Sequence, residues 1–305
     1  MSAGMQAGRM EGQTMRGRGR FVDYSNLVKL PHTVFALPFV IVGATLASYV
    51  APVRLSDLGW ILLAFTSARF AAMGFNRIVD RSIDAQNPRT SSREIPAGKL
   101  TVHEATLSVA AASGVFLVSA GMLNRLCLIL APFALAWIFF YSYTKRFMSG
   151  AHLVLGFALA IAPVGAYLAV AGSWSEPWTA LLALAGAVLC WVAGFDILYS
   201  LQDEQFDRSN GLHSIPAAFG AAGAIGVSRV LHAASAALFL LSGAAFGAGV
   251  VYFAGVALIA VMLVYEQSLV RADDLSRIDA AFFNINGAIS IVFCLMVIAE
   301  RVLLR

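Results

Sequence analysis

Residues 177–207 read PWTALLALAGAVLCWVAGFDILYSLQDEQFD. Up to residue 199 this stretch contains one charged side chain, Asp196, and the remainder contains Asp203, Glu204 and Asp207. An apolar run of this length can cross the hydrocarbon core of a bilayer as one helix, which requires about 20 residues. The stretch therefore predicts a membrane-spanning helix that ends in an acidic segment.

Apolar runs of this kind recur along the whole chain. Hydrophobic residues make up 59% of the 305 residues and charged residues only 12%, whereas soluble domains carry about 25% charged residues. Long runs indicate helices, because a membrane barrel would show short alternating segments. We predict an all-α, multi-pass bundle of nine transmembrane helices over residues 33–51, 57–76, 103–122, 126–143, 152–172, 177–199, 217–246 (with an irregular start), 249–270 and 280–303.

The segments between these runs are too short for a soluble domain. We therefore expect one membrane domain over residues 26–305, preceded by a disordered basic tail over residues 1–25. With the N-terminus in the cytoplasm, fifteen of the 21 Lys and Arg residues lie on the cytoplasmic side and four on the other. This bias follows the positive-inside rule, so the net charge of +4 needs no nucleic-acid partner. The expected location is the cell inner membrane.

A polar segment follows the run 57–76. If the helix continues beyond this run, Asn76, Asp80 and Asp84 share one face, because residues four apart stack on a helix. Asp203 and Asp207 repeat the spacing after the run 177–199. Neighbouring carboxylates repel each other unless a cation lies between them, and Mg²⁺ commonly joins a few carboxylates to substrate phosphates. The two pairs therefore predict Mg²⁺ bound with a diphosphate.

Basic side chains accompany both acidic pairs on the same predicted side. Arg89 and Arg93 follow the first pair, and Lys145 and Arg146 follow the run 126–143. The guanidinium fork of arginine suits phosphate, and a metal ion would offset charge on a leaving diphosphate. One such pair at a membrane edge is usually a solvated helix end, but two pairs with nearby cations favour a functional site.

Histidines show no comparable pattern. His103, His152 and His232 have no partner at a useful spacing and are interpreted as structural, whereas His213 lies in the second acidic loop. The three cysteines show no metal-ligand spacing and are interpreted as core residues.

Two extended motifs resemble the UbiA superfamily of intramembrane prenyltransferases, over about residues 26–300. The segments that carry the resemblance are Asn76-x-x-x-Asp80-x-x-x-Asp84 with the following Arg89 and Arg93, Asp196-x-x-Tyr199-x-x-x-Asp203-x-x-x-Asp207, Tyr141-Ser142-Tyr143-Thr144-Lys145-Arg146, and Phe282-Phe283-Asn284-Ile285-Asn286-Gly287. Together these segments are specific, although each alone is not. Glu94 departs from the pattern, because the family often has proline there.

The resemblance implies nine helices around a central cavity with a cytosolic polar cap. It implies Mg²⁺-assisted loss of diphosphate from a polyprenyl diphosphate, followed by attack of an aromatic ring on the resulting cation. The residues that it assigns to Mg²⁺ are Asn76, Asp80, Asp84, Asp203 and Asp207. It assigns Arg93 and Lys145 to the diphosphate, and we expect Lys29, Arg89 and Arg146 to contact it as well. It places Asp196 and Tyr199 near the reacting carbon and Tyr143 near the acceptor.

The acceptor stays open between related compounds. The first expectation is 4-hydroxybenzoate in quinone biosynthesis. The stretch Thr33–Phe39 is similar to a bacterial subgroup of 4-hydroxybenzoate polyprenyltransferase-like proteins, some of which prenylate a dihydroxynaphthoate for menaquinone. Haem O synthase-like farnesyl transfer is a further alternative. From a different class, a transporter of a Mg²⁺-bound anion would be expected to have paired broken helices and acidic groups at the membrane midplane. A non-catalytic lipid-binding scaffold would not need two aspartate pairs.

Overall fold

The computed structural model describes residues 19–29, 33–174 and 177–303. The described chain is built from helices, which are α1 Arg20–Leu27, α2 Thr33–Ala47, α3 Leu55–Gln86, α4 Val102–Leu123, α5 Arg125–Thr144, α6 Ala151–Ala171, α7 Trp178–Ser200, α8 Glu204–Ser209, α9 Ile215–Phe246, α10 Val250–Leu269 and α11 Asn286–Leu303. A 3₁₀ turn, Leu201–Asp203, joins α7 to α8. A π-helical turn, Ala280–Ile285, leads into α11.

Eight helices in the described part of the chain are long and apolar enough to cross a membrane. They are α3 to α7, α9, α10 and α11 with its π-helical turn. The ninth predicted span is the shorter apolar helix α2, which ends at Ala47 and not at residue 51. The predicted all-helical, multi-pass membrane fold is confirmed, with the count of nine holding only if α2 is included.

Three local predictions have different outcomes. α3 continues past the predicted end at residue 76 as far as Gln86, so the first acidic pair lies on the helix itself. The irregular start of α9 is confirmed at Gly220, where φ is 70° and ψ is 173°, a conformation that suits a residue without a Cβ atom. The predicted disordered tail, residues 1–25, lies mostly outside the described residues, but from Arg20 onward it forms α1.

α7 lies at the centre of the bundle and is buried along most of its length. The indole of Trp191 packs against Phe39 of α2, with ring centroids 5.0 Å apart, and against Phe195, at 5.1 Å. Phe239 and Phe293 complete the same aromatic core. The end of α7 is therefore fixed from several sides, which fixes the start of the second acidic segment.

A ladder of serines joins α9 to α7. Ser228, Ser235 and Ser242 are spaced seven residues apart, and each hydroxyl donates to a backbone carbonyl of α7, at 2.8, 2.8 and 3.0 Å. The acceptors, at positions 194, 187 and 180, are spaced seven apart in the opposite direction. Small polar residues at this spacing let two membrane helices pack closely along a left-handed crossing.

Candidate active site

The first acidic segment (Asn76, Asp80 and Asp84) lies on one face of the last turns of α3. The Asn76 amide donates to Asp80 Oδ2 at 2.8 Å. Arg146 Nη2 donates to Asp80 Oδ1 at 2.9 Å, and Arg93 Nη1 donates to Asp84 Oδ1 at 2.6 Å. Each carboxylate of this segment is thus paired with a cation from another part of the chain.

The second acidic segment (Asp203 and Asp207) lies opposite, across the 3₁₀ turn and α8. Arg89 forms two hydrogen bonds with Asp203: Nε donates to Oδ1 at 2.9 Å, and Nη2 donates to Oδ2. The Asn87 amide adds a third hydrogen bond to Asp203 Oδ1, at 3.0 Å. Lys145 Nζ lies 3.5 Å from Asp207 Oδ2. Since Asn87 and Arg89 directly follow α3, the loop after the first segment holds the second one in place.

Five predicted cations are therefore placed at or near this cluster. Arg89, Arg93, Lys145 and Arg146 each contact one of the predicted carboxylates. Burial alone would lower the pKa of Lys145, but the carboxylates of Asp207, Asp203 and Asp196 raise it above the ordinary value, so Lys145 remains charged. Lys29 is buried in a left-handed turn, with φ of 45°, and its charge acts on Asp279.

The donor atoms of the cluster fit a magnesium ion bound together with substrate. Oδ2 of Asp84 and Oδ2 of Asp207 are buried and accept no hydrogen bond from the described residues, with the nearest cations 4.0 and 3.5 Å away. Among residues 19–29, 33–174 and 177–303, no three His, Cys, Asp or Glu side chains are grouped as a complete metal cage. Mg²⁺ needs no such cage, because it commonly takes one or two carboxylates and completes its shell with phosphates and water.

The comparison with known families decides the assignment. The UbiA prenyltransferase family profile matches residues 36–288. The chain belongs to the UbiA prenyltransferase family. It is 30% identical over 278 residues to the 4-hydroxybenzoate octaprenyltransferase of Nitrosospira multiformis, covering 90% of this chain and 94% of that protein. It is 31% identical to the enzyme of the same name from Aeromonas salmonicida, covering 81% and 85%.

Solved structures of UbiA homologues share the fold. The apo structure of a homologue from Aeropyrum pernix K1 is 37% identical, with a TM-score of 0.80, and covers 88% of this chain and 98% of that one. A homologue from Archaeoglobus fulgidus, bound to DMAPP and Mg²⁺, has a TM-score of 0.73 at 20% identity and covers 92% and 100%. At that identity the second likeness is one of fold.

Aromatic side chains form a wall beside the charged cluster of this UbiA-family chain. The predicted site residue Tyr199 stacks on Phe282, with ring centroids 4.1 Å apart, and the guanidinium carbon of Arg89 lies 5.5 Å from the Tyr199 ring centre. Phe282 and Phe283 belong to the π-helical turn before α11. π-helical turns often occur at functional sites, since the extra residue changes which side chains face inward.

Asp196 has a histidine partner that the sequence interpretation missed. Nδ1 of His152 lies 2.6 Å from Asp196 Oδ2, and Nε2 of His152 accepts the backbone N–H of Ile215 at 3.4 Å. Because Nε2 is an acceptor, the neutral imidazole carries its proton on Nδ1 and donates it to Asp196. His152 is thus structural in one sense, but it also orients a predicted catalytic carboxylate. The two residues lie 44 positions apart, so spacing could not have revealed the contact.

Tyr141 and Tyr143, two residues apart on α5, have different surroundings. Tyr143 is 44% exposed, packs edge-on against Phe75 and reaches the cluster only through Arg146, which lies over its ring at 5.6 Å. Tyr141 lies within electrostatic reach of Asp80 and Asp196. Side chains two positions apart on a helix point in nearly opposite directions. The assignment of Tyr143 to the acceptor stays a prediction, and Tyr141 joins it as a candidate.

Two further polar residues near the cluster carry no motif signal. Asn87 ends α3, and its side-chain oxygen accepts the backbone N–H of Arg89 at 2.9 Å while its amide reaches Asp203. Asp279 interacts electrostatically with Arg89 and Lys29, and burial, the larger influence, raises the pKa of its carboxyl. Only their positions could have indicated a role in the site: Asn87 directly follows an acidic helix, and Asp279 precedes an aromatic pair.

Proposed function

We propose that this protein transfers the prenyl chain of a polyprenyl diphosphate to a small aromatic acceptor. The observation that carries the proposal is the meeting of two acidic segments, on α3 and on the turn after α7, each neutralised by cations from elsewhere in the chain. Homologues named 4-hydroxybenzoate octaprenyltransferase, and a homologue solved with DMAPP and Mg²⁺, support the same reaction.

The cations of the cluster are proposed to bind the diphosphate. In the described structure Arg89, Arg93, Lys145 and Arg146 lie on carboxylates, so they can contact phosphate oxygens with small side-chain movements. Mg²⁺, when bound, would supply positive charge that offsets the charge of the leaving diphosphate. The residues proposed to hold it are Asn76, Asp80, Asp84, Asp203 and Asp207.

The reaction has a simple balance. The bond between the first prenyl carbon and the diphosphate oxygen breaks, and its electron pair leaves with the diphosphate. An electron-rich ring carbon supplies the pair for the new carbon–carbon bond, and the ring proton passes to a base. We assign that base to Asp196, because His152 fixes its orientation and it is partly accessible, with 19% of its side chain exposed.

The aromatic wall is proposed to receive the acceptor and the reacting end of the prenyl chain. Tyr199 and Phe282 present ring faces beside Arg89, and such faces stabilise a nearby cation. The proposed acceptor is 4-hydroxybenzoate, the substrate in the names of the relatives. From the Lys and Arg bias, we propose that the cluster and the N-terminus lie on the cytoplasmic side of the inner membrane.

The test is a transfer assay with purified protein in detergent. Radiolabelled geranyl or longer prenyl diphosphate is supplied with Mg²⁺ and with either 4-hydroxybenzoate or a dihydroxynaphthoate. We expect labelling of 4-hydroxybenzoate that chelation of Mg²⁺ abolishes and that Asp80→Ala and Asp203→Ala each lose. Asp273→Ala is the matched control, because its side chain is 85% exposed outside the cluster. Labelling of the naphthoate alone would reassign the acceptor, and failure to bind the diphosphate would refute prenyl transfer and favour the transporter.

A further inference from the structure

Arg229 is a charged residue on the outer face of a membrane-spanning helix. It lies within α9, its side chain is exposed, and no residue of the described ranges forms a hydrogen bond or ion pair with it. A lipid-facing cation costs free energy unless it reaches the interface or meets an anion there. Since no described residue pairs with Arg229, the head group of an anionic lipid is a suitable source of counter-charge.

A groove lies directly beside Arg229, between α9 and α10. Its volume is about 500 Å³, within the range of small-molecule sites. Three alanines, Ala233, Ala236 and Ala260, line it where larger side chains would fill the space between the helices. Leu263 adds to an apolar wall. The groove thus suits a hydrocarbon chain lying along the two helices.

The Arg229 end of the groove lies at the level of the lipid head groups. Ser268 lines the same groove and precedes Leu269, the last residue of α10. Because successive spans run in opposite directions, α10 ends on the same side of the membrane as α3 and α7, which carry the acidic segments. Arg229 therefore lies near the membrane surface, and the alanines lie deeper.

A buried histidine lies between these two levels. His232 is 3% exposed, lines the groove, and receives a hydrogen bond on Nδ1 from the amide nitrogen of Gln267 at 3.0 Å. An amide nitrogen can only donate, so Nδ1 accepts and the neutral ring carries its proton on Nε2. Nε2 packs against Gly194 of α7 and is not directed into the groove. His232 is one turn from Arg229, or about 4.5 Å deeper along α9.

We propose that this groove binds one anionic phospholipid. Its phosphate lies on Arg229, and one acyl chain lies along Ala233, Ala236 and Ala260. The order of cation and apolar wall follows the order of phosphate and acyl chain in a phospholipid. A single arginine matches the single charge of a phosphodiester, whereas a diphosphate carries more charge and needs the several cations of the active site.

Native mass spectrometry of the delipidated protein in detergent tests the proposal. Phosphatidylglycerol and phosphatidylcholine with identical acyl chains are titrated into the wild type and three variants. We expect one phosphatidylglycerol to bind preferentially, and Arg229→Gln to weaken its binding about fivefold, the usual contribution of one basic residue at a lipid surface. Ala236→Phe should weaken both lipids, since its ring fills the chain site. Arg271→Gln, an exposed cation on the same side but outside the groove, should change neither.

Several results would overturn the assignment. If Arg229→Gln binds phosphatidylglycerol as tightly as the wild type does, Arg229 does not contact the phosphate. If Arg271→Gln weakens the binding as much as Arg229→Gln does, the effect is one of general surface charge. Displacement of the lipid by geranyl diphosphate would give the groove to the prenyl substrate. A wild-type dimer that Ala236→Phe dissociates would give it to a second copy of the chain. Because Arg229→Gln changes only an exposed side chain, it decides the question even if Ala236→Phe does not fold.

Discussion

The two acidic segments share a spacing of four residues but present their carboxylates in different ways. Asp80 and Asp84 lie one turn apart on the continuous helix α3. Asp203 ends a 3₁₀ turn, and Asp207 lies on the short helix α8. A regular helix holds the first pair without outside help. The second pair has no such support, so its position depends on contacts from other parts of the chain.

Burial divides the four carboxylates differently. The side chain of Asp80 is 22% exposed, whereas those of Asp84, Asp203 and Asp207 are 7%, 9% and 3% exposed. Asp203 is also held by three hydrogen bonds from the loop after α3, two from Arg89 and one from Asn87. A buried carboxylate is costly without its partners. We infer that Asp203 is more sensitive to substitution than Asp80.

The largest expected effect comes from neutralising each half in turn. Asp203→Asn leaves Arg89 buried beside a neutral group and should lower kcat/KM for prenyl transfer about 10³-fold, whereas Asp80→Asn should lower it about 10²-fold. The measurement is steady-state transfer at several Mg²⁺ concentrations. Thermal unfolding of both variants serves as the control for folding. A larger loss in Asp80→Asn than in Asp203→Asn would reverse the ranking of these two carboxylates.

Much of this arrangement follows from the sequence, and the part that does not has a physical reason. Long apolar runs fixed the helices closely, because only a helix satisfies its own backbone hydrogen bonds in lipid. The four-residue spacing singled out Asp80, Asp84, Asp203 and Asp207 as candidates, because residues at that spacing share a face where a helix continues. Which carboxylate each cation contacts was out of reach, since Arg89 lies 114 positions from Asp203. The contact of His152 with Asp196, 44 positions away, was out of reach for the same reason.

Which of two nearby tyrosines faces the charged cluster was equally impossible to predict from the sequence. Tyr141 and Tyr143 both lie in an aromatic stretch before Lys145, and the sequence alone gave no direction for either ring. Only the rotation of α5 against α3 and α6 turns Tyr141 toward the charges and leaves Tyr143 half exposed. Spacing along a chain predicts which side chains share a face, but packing decides what that face meets.

A smaller effect should separate the two arginines that serve the segments. Arg89 donates two hydrogen bonds to Asp203. Arg146 donates one hydrogen bond to Asp80 and others to the backbone carbonyls of Ser142 and Val79. Lysine keeps the charge but loses the planar fork. Arg89→Lys should therefore lower kcat/KM about 10²-fold and Arg146→Lys about 10-fold, measured with varied prenyl diphosphate. Equal losses would mean that charge alone matters at both positions.

The smallest expected effect tests whether Asn87 couples the two acidic segments through its hydrogen bonds. Its side-chain oxygen fixes the backbone of Arg89, and its amide fixes Asp203 Oδ1. Asn87→Ala removes both contacts and should lower kcat/KM about 10-fold, the usual cost of losing a residue that orients a ligand. Asn210→Ala is the matched control, because that amide bonds only the nearby carbonyl of Phe206 at the exposed end of α8.

Asn87→Asp sharpens the same test. It keeps the acceptor that fixes the Arg89 backbone but replaces the donor to Asp203 with a like charge, so it should cost more activity than alanine does. If the backbone turn were the important contact, aspartate would instead preserve activity and alanine would not. The order of the two variants therefore tells whether Asn87 acts on the loop after α3 or on the carboxylate after α7. An effect of alanine no larger than that of Asn210→Ala would leave Arg89 as the link between the two segments.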